Sequence, residues 1–200
     1  MNDADIVFLS ATELARRIRA KELSSVEVVE AHVRRIGQVN PVINAIVTFV
    51  PEQALERARR ADERLARGEI DGPLHGVPVT IKDSFDTAGI RTVSGVPGLE
   101  NNVPTANATA VTRLLDAGGI ILGKTNTPPI TFSYETNNPV FGPTCNPYNP
   151  ERISGGSSGG EAAIIAAGGS PLGIGTDTAG SIRGPSNFCG TAGLKPTTGR

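Results

Sequence analysis

The chain has 200 residues, 38% of them hydrophobic and 20% charged, with 24 Gly and 15 Pro. Nineteen basic and 20 acidic side chains leave a net charge of −1, so no basic excess marks a nucleic-acid or anionic-membrane surface. The apolar fraction is globular rather than disordered, the glycines follow no three-residue period, and two cysteines cannot build a disulfide framework.

The N-terminus, Met1-Asn-Asp-Ala-Asp-Ile6, lacks a basic segment followed by an apolar run, and no apolar stretch approaches the ~20 residues of a membrane span. The expectation is a cytoplasmic protein with Cys145 and Cys189 reduced. Residues 1–70 carry 22 charged residues and two glycines, and their pattern is helical. Ser10-x-x-Glu13 and Ser24-x-x-Glu27 fit the capping box, in which a serine and a glutamate satisfy free backbone N–H groups at a helix start. Behind the second cap, Val26, Val29, His32, Val33 and Ile36 share one helical face. Pro51 opens a third helix that runs to Arg67 and stops at Gly68. Its Arg57, Arg59, Arg60, Arg64 and Arg67 alternate with acids, which reads as a solvated face.

Residues 71–200 carry 22 glycines and mix element types. Val77–Lys82 reads as a strand, Thr109–Ala117 as a helix with Val111, Leu114 and Leu115 inward, and Ile120–Leu122 as a short buried strand. Glu161–Ala167 reads as a small-residue helix and Leu172–Thr176 as a strand. The class is α/β: a helical segment, 1–70, packed on a core formed by 71–200.

Two motif matches fail on physical grounds. Gly118-x4-Gly123-Lys124-Thr125 has the letters of a phosphate-binding loop, but its spacer, Gly-Ile-Ile-Leu, favours a strand. Pro128 and Pro129 then prevent the helix that such a loop requires. Gly155-Gly-Ser157-Ser-Gly159 has the letters of a hydrolase nucleophile elbow, but the two histidines, His32 and His75, both precede it. His32 sits on the apolar face of a helix, and His75 stands in a turn with no evident acidic orienter. No lysine follows a serine at the S-x-x-K spacing, and no Cys/His cluster has metal spacing.

A third constellation survives. Residues 154–200 hold 13 glycines and few charges. Ser157 lies in Gly155-Gly-Ser-Ser-Gly-Gly160 and Ser181 in Gly175-Thr-Asp-Thr-Ala-Gly-Ser-Ile-Arg183. Clustered glycines let backbone N–H groups converge on one point, where a serine hydroxyl becomes a nucleophile if a base takes its proton. A flexible loop with locally satisfied hydroxyls is the bland alternative. With histidine set aside, lysine is the remaining base. Lys82 ends an apolar strand, where burial lowers its pKa, although a strand-end pair with Asp83 explains it equally well.

Three stretches together resemble the amidase signature family: Gly76-Val-Pro-Val-Thr-Ile-Lys-Asp83, Gly155-Gly-Ser-Ser-Gly-Gly-Glu-Ala-Ala163 and Gly175-Thr-Asp-Thr-Ala-Gly-Ser-Ile-Arg-Gly-Pro-Ser186. Ile121–Asn126, Asn138–Tyr148 and Phe188–Thr197 support the likeness, which is dense from about residue 70 onward. The resemblance implies a mixed sheet flanked by helices and a Ser–Ser–Lys triad that hydrolyses linear carboxamides through an acyl-enzyme. In it Ser181 is the nucleophile, Ser157, on a cis peptide, relays the proton, and neutral Lys82 accepts it. Backbone N–H groups of Thr178, Ala179, Gly180 and Ser181 form the oxyanion hole, while Asp177 and Arg183 support the loop. Ala179 departs from the glycine common in the family.

Family chains run to more than twice this length, so the resemblance implies that later strands and part of the substrate pocket lie beyond position 200. It also implies weak activity, or none, for these 200 residues alone. Thr127-Pro-Pro-Ile-Thr-Phe-Ser-Tyr-Glu135 resembles stand-alone amidases more than the tRNA-dependent amidotransferase component of the same family. The alternatives are that glutamyl-tRNA amidotransferase component and a catalytically silent fragment. The expected partner is a small-molecule amide, with no cofactor, metal, nucleic acid or membrane. Phe132, Tyr134 and Phe141 are pocket candidates, with core packing as the alternative for each.

Overall fold

In the computed structural model, which describes residues 2–199, helices line both faces of a small mixed sheet. The N-terminal part supplies α1 (Asp3–Val7), α2 (Ala11–Arg19), α3 (Ser25–Ile43), β1 (Ile46–Phe49) and α4 (Pro51–Ala66). There follow β2 (Pro78–Lys82), α5 (Thr109–Asp116), β3 (Ile120–Thr125), a 3₁₀ turn (Pro129–Thr131), α6 (Gly159–Ala166), β4 (Gly173–Ile174) and α7 (Arg183–Cys189). The strand order is β1-β3-β2-β4, with β3, β2 and β4 parallel and β1 antiparallel at one edge.

Of the two capping boxes that the sequence predicts, one forms in full and the other only by its serine half. Ser24 accepts from the Glu27 N–H at 3.1 Å while the Glu27 carboxylate accepts from the Ser24 N–H at 2.8 Å, closing a full capping box on α3. Ser10 caps α2 through the Glu13 N–H, while the Glu13 carboxylate turns away to bind Arg16 and Arg17. In α4 the alanines Ala54, Ala58 and Ala61 with Leu65 face inward. On its outer side Arg60 reaches Glu56 at 3.0 Å and Arg64 reaches Asp71 at 2.8 Å, the expected solvated face.

The sheet separates two apolar layers because alternate strand residues point to opposite sides. On one side, Ile120 and Leu122 pack with Val29 and Ile36 of α3, the α4 alanines, and Ala163 and Ile164 of α6. On the other, Val79, Ile81 and Ile121 pack on Val111 and Leu114 of α5. A third cluster joins α1 and α2 to α3 through Ile6, Leu14, Ile18 and Val28.

Besides α7, which the sequence does not announce, three elements differ from the sequence expectation. α1 precedes the first anticipated cap and is closed by its own Asn2–Asp5 capping box. β1 turns what reads as a connection between two helices into the sheet edge, with Ile46 opposite Thr125 and Thr48 opposite Lys124. β3 runs on through Gly123-Lys124-Thr125, because backbone pairing to β1 and β2 holds these residues although their side chains are not apolar. Gly123 fits there because a Cβ would meet the Thr48 carbonyl. No helix among the described residues is long and apolar enough to cross a membrane.

Candidate active site

Adjacent residues of an extended chain face opposite ways, which separates Lys82, the last residue of β2, from Asp83 just beyond it. Lys82 reaches Ser157 and Ser158 at the start of α6, and Asp83 faces a different set of groups, so the two do not form the strand-end pair that the sequence left open. Asp83 instead faces Lys124, its Oδ1 lying 3.6 Å from Nζ, and accepts the N–H groups of Val93 and Ser94 at 3.0 and 2.8 Å. Lys124 also donates to the Phe85 carbonyl at 2.8 Å and Thr92 Oγ1 at 2.5 Å. Burial pushes the Asp83 carboxyl up and the Lys124 amine down, and each charge partly offsets the other's shift.

Lys82 is fully buried, and its Nζ lies among three hydroxyls: Ser157 Oγ at 2.7 Å, Thr176 Oγ1 at 2.8 Å and Ser158 Oγ at 3.0 Å. Loss of hydration brings its pKa down to about 7, against the opposing pull of the Glu161 and Asp177 carboxylates. A substantial fraction is therefore the free amine at neutral pH. Glu161, in the first turn of α6, is buried on the same side of the sheet and accepts from Thr80 Oγ1 at 2.6 Å. Burial drives its carboxyl up to about 7, with the Thr80 hydroxyl and the two lysines opposing.

The glycine-rich loop holds Ser157 against Lys82. The Gly156–Ser157 peptide bond is cis. Gly156 admits no side chain, since a Cβ would stand 2.7 Å from the Glu135 nitrogen and the Tyr134 carbonyl carbon. Thr127 Oγ1 donates to the Ser157 carbonyl at 3.0 Å. Thr136 Oγ1 donates to the Gly155 carbonyl at 2.8 Å and accepts from the Gly159 N–H at 3.0 Å. Thr127 is fixed in turn by Asn138, whose Nδ2 donates to the Thr127 carbonyl and to Asn126 Oδ1. Sequence reasoning did not single out these threonines and asparagines; the density of small hydroxyl and amide residues from Asn126 to Asn146 is the signal that they organise a loop.

The segment after β4 brings in Ser181. A cavity of about 460 Å³ is lined by Ser157, Ser181, Thr176, Thr178, Ala179 and the 131–134 segment. The Ser181 carbonyl accepts the Ser158 N–H at 3.1 Å, stitching the two serine loops together. The Ser181 hydroxyl makes no direct bond to Ser157 among the described residues. Asp177 organises the intervening turn: its carboxylate accepts the N–H groups of Gly180, Ile182 and Arg183 at 2.7, 3.1 and 3.2 Å and pairs with the Arg183 guanidinium at 2.9 Å. That pairing holds its carboxyl well below the usual range. The Gly180 N–H, expected among the oxyanion donors, is thus engaged by Asp177. The N–H groups of Thr178, Ala179 and Ser181 have no protein partner among the described residues.

The remaining candidates divide. Phe132 and Tyr134 stand on the cavity wall, whereas Phe141 stacks against the Arg91 guanidinium, 5.4 Å from its ring centre. His32 is buried with Nδ1 on the Val28 carbonyl. His75 accepts the Asp71 N–H at Nδ1 and meets the Ala61 carbonyl at Nε2. Asp71 Oδ2 lies 3.3 Å from that ring, so His75 does have an acidic neighbour, contrary to the sequence reading. Neither histidine lines the cavity.

Residues 27–200 match the Amidase family. The chain is 50% identical over 195 residues to a glutamyl-tRNA(Gln) amidotransferase component of Carboxydothermus hydrogenoformans, covering 98% of this chain and 40% of the relative. It is 47% identical over 199 residues to an acylamidase of Rhodococcus erythropolis, covering 100% of this chain and 42% of the relative. Among solved structures it superposes on a bacterial aryl acylamidase of the amidase signature family with a TM-score of 0.85 at 37% identity, covering 90% of this chain and 37% of that one. It superposes on a fatty acid amide hydrolase with a TM-score of 0.89 at 35% identity, covering 92% of this chain and 32% of that one. The chain spans about 40% of the length of the curated relatives it matches. On its fold, its match over most of its length and these relatives, the chain belongs to the amidase signature family.

Proposed function

We propose that this chain carries the catalytic region of an amide hydrolase that cleaves linear carboxamides through an acyl-enzyme on Ser181. The observation that carries the reading is the 2.7 Å contact between the buried Lys82 amine and Ser157, beside a cavity that Ser181 also lines. The Lys82 lone pair takes the Ser157 proton as Ser157 takes that of Ser181, whose Oγ attacks the carbonyl carbon. The free N–H groups of Thr178, Ala179 and Ser181 are the available donors to the developing oxyanion. Collapse breaks the C–N bond, and the Lys82 proton returns through Ser157 to the leaving amine. Water, deprotonated by the same relay, then releases the acid. Such hydrogen bonds are often long before substrate binds, so the open Ser157–Ser181 step is compatible with this route.

A second reading, release of ammonia from an amide for an amidotransferase, is favoured by the 50% identity to such a component from Carboxydothermus hydrogenoformans. Turnover of an aryl anilide and of glutamine by the same preparation separates the two. Anilide hydrolysis that is lost in Ser181→Ala supports the proposal. Glutamine hydrolysis alone supports the second reading, and anilide hydrolysis that survives Ser181→Ala overturns the proposed nucleophile.

A further inference from the structure

The proton inventory around Lys82 gives a part to a residue outside the triad. Nζ meets Ser157 Oγ, Thr176 Oγ1 and Ser158 Oγ and has no other hydrogen-bond partner among the described residues. An ammonium has three N–H donors and no lone pair, whereas an amine has two donors and one lone pair. Ser158 directs its own O–H at the Thr176 carbonyl, 3.3 Å away, and receives the Thr176 N–H at 3.4 Å, so toward Nζ it accepts. When Lys82 is protonated, all three oxygens must accept, Thr176 Oγ1 among them.

We propose that Thr176 is a positioning residue for the proton transfer: with Ser158 it takes two Lys82 N–H bonds and turns the third site of Nζ toward Ser157. Only the Ser157 bond then reverses its donor when the proton moves, and the two other bonds hold the nitrogen still. Thr176 also stabilises the ammonium that forms as Lys82 accepts the proton. The inference rests on Lys82 being the base. The charged groups facing Lys82 are Glu161 on α6 and Asp177 beyond β4, and both favour the ammonium. Asp83 and Lys124 lie across the sheet.

The test is titration of Lys82 by NMR in the full chain labelled with ¹³C-lysine, its signal identified by disappearance in Lys82→Met. The small number of lysines makes the spectrum tractable. Removing one acceptor from an ammonium weakens proton binding about tenfold or more, so Thr176→Val lowers the Lys82 midpoint by about one pH unit. Thr176→Ala shows the same fall should valine not be accommodated, and Thr176→Ser, which keeps the hydroxyl, titrates with the wild type. A midpoint unchanged in both Thr176→Val and Thr176→Ala overturns the inference. So does a Thr176→Ser midpoint displaced as far as that of Thr176→Val, which would make the methyl group the operative part. The titration needs no turnover, so its outcome is separate from whether Ser181 is the nucleophile.

Discussion

A lysine whose pKa falls on folding makes the folded state less stable wherever it must carry charge there, and the Lys82→Met substitution exposes that cost. In the unfolded chain Lys82 titrates near ~10.4; in the folded protein, at about 7. Between these values the unfolded state binds more protons than the folded one, so stability rises with pH across that window. Below pH 7 both states are protonated and the full penalty is present; above ~10.4 both are neutral and the penalty is gone. With about 1.4 kcal/mol per unit where one proton separates the states, Lys82 alone adds about 2 kcal/mol between pH 7 and pH 9. Lys124, lowered to about 8, acts in the same direction, so the total pH dependence is not diagnostic by itself. The difference between wild type and Lys82→Met cancels Lys124, and Glu161, whose carboxyl Lys82 holds down, titrates higher in the variant and widens the gap in the same direction. Methionine has a similar length, and the bonds it forfeits to Ser157, Ser158 and Thr176 shift the curve without tilting it. Urea unfolding at pH 7, 8 and 9 gives the two slopes. The wild type gains at least about 2 kcal/mol more than the variant over that range, and parallel lines would refute a discharged Lys82.

Four further outcomes follow. Lys82→Ala slows acylation by about 10²–10⁴-fold, the usual reach of a general base, and an unchanged rate of labelling by a fluorophosphonate would remove Lys82 from the mechanism. Glu161→Gln removes a charge that favours the Lys82 ammonium, so the rise of labelling rate with pH moves to lower pH; a shift upward or none contradicts the arrangement. Gly160→Ala costs about 1–3 kcal/mol in denaturant unfolding, because its Cβ would stand 2.5 Å from the Asn126 nitrogen and 2.8 Å from the Ala45 carbonyl oxygen. Gly37→Ala, at an exposed position inside α3 with nothing within 4 Å, gains about 0.5–1 kcal/mol in the same assay.

What the sequence conveyed and what it withheld have identifiable causes. α3, α4 and β2 are legible because their signals are local: a capping serine with its glutamate, a proline at the first helical position, an apolar run between turns. β1 is not, because four residues between helices become a strand only when Ile46 and Thr48 find partners on β3, far along the chain. α7 is hidden by Arg183-Gly-Pro-Ser186, whose glycine and proline read as loop; Pro185 falls in the first turn, where its missing N–H costs nothing. Ser157 and Ser181 stand out in a charge-poor, glycine-rich segment and Lys82 at the end of an apolar strand, but only the resemblance to the amidase signature family joined them in a triad. Their supports do not stand out: Thr176, Thr127 and Thr136 are ordinary residues until folding brings them to Nζ and to the Gly155–Gly159 loop. The separation of Lys82 from Asp83 follows from strand alternation and was available to sequence reasoning, but the partner of Asp83, Lys124, lies on another strand.

The most direct measurement is the location of a covalent adduct. Treating the protein with a fluorophosphonate and mapping the modified peptide by mass spectrometry places the phosphonyl group on Ser181, and Lys82→Ala greatly slows its appearance there. An adduct on Ser157 or Ser158, or one that forms on Ser181 equally fast without the Lys82 amine, would contradict the account.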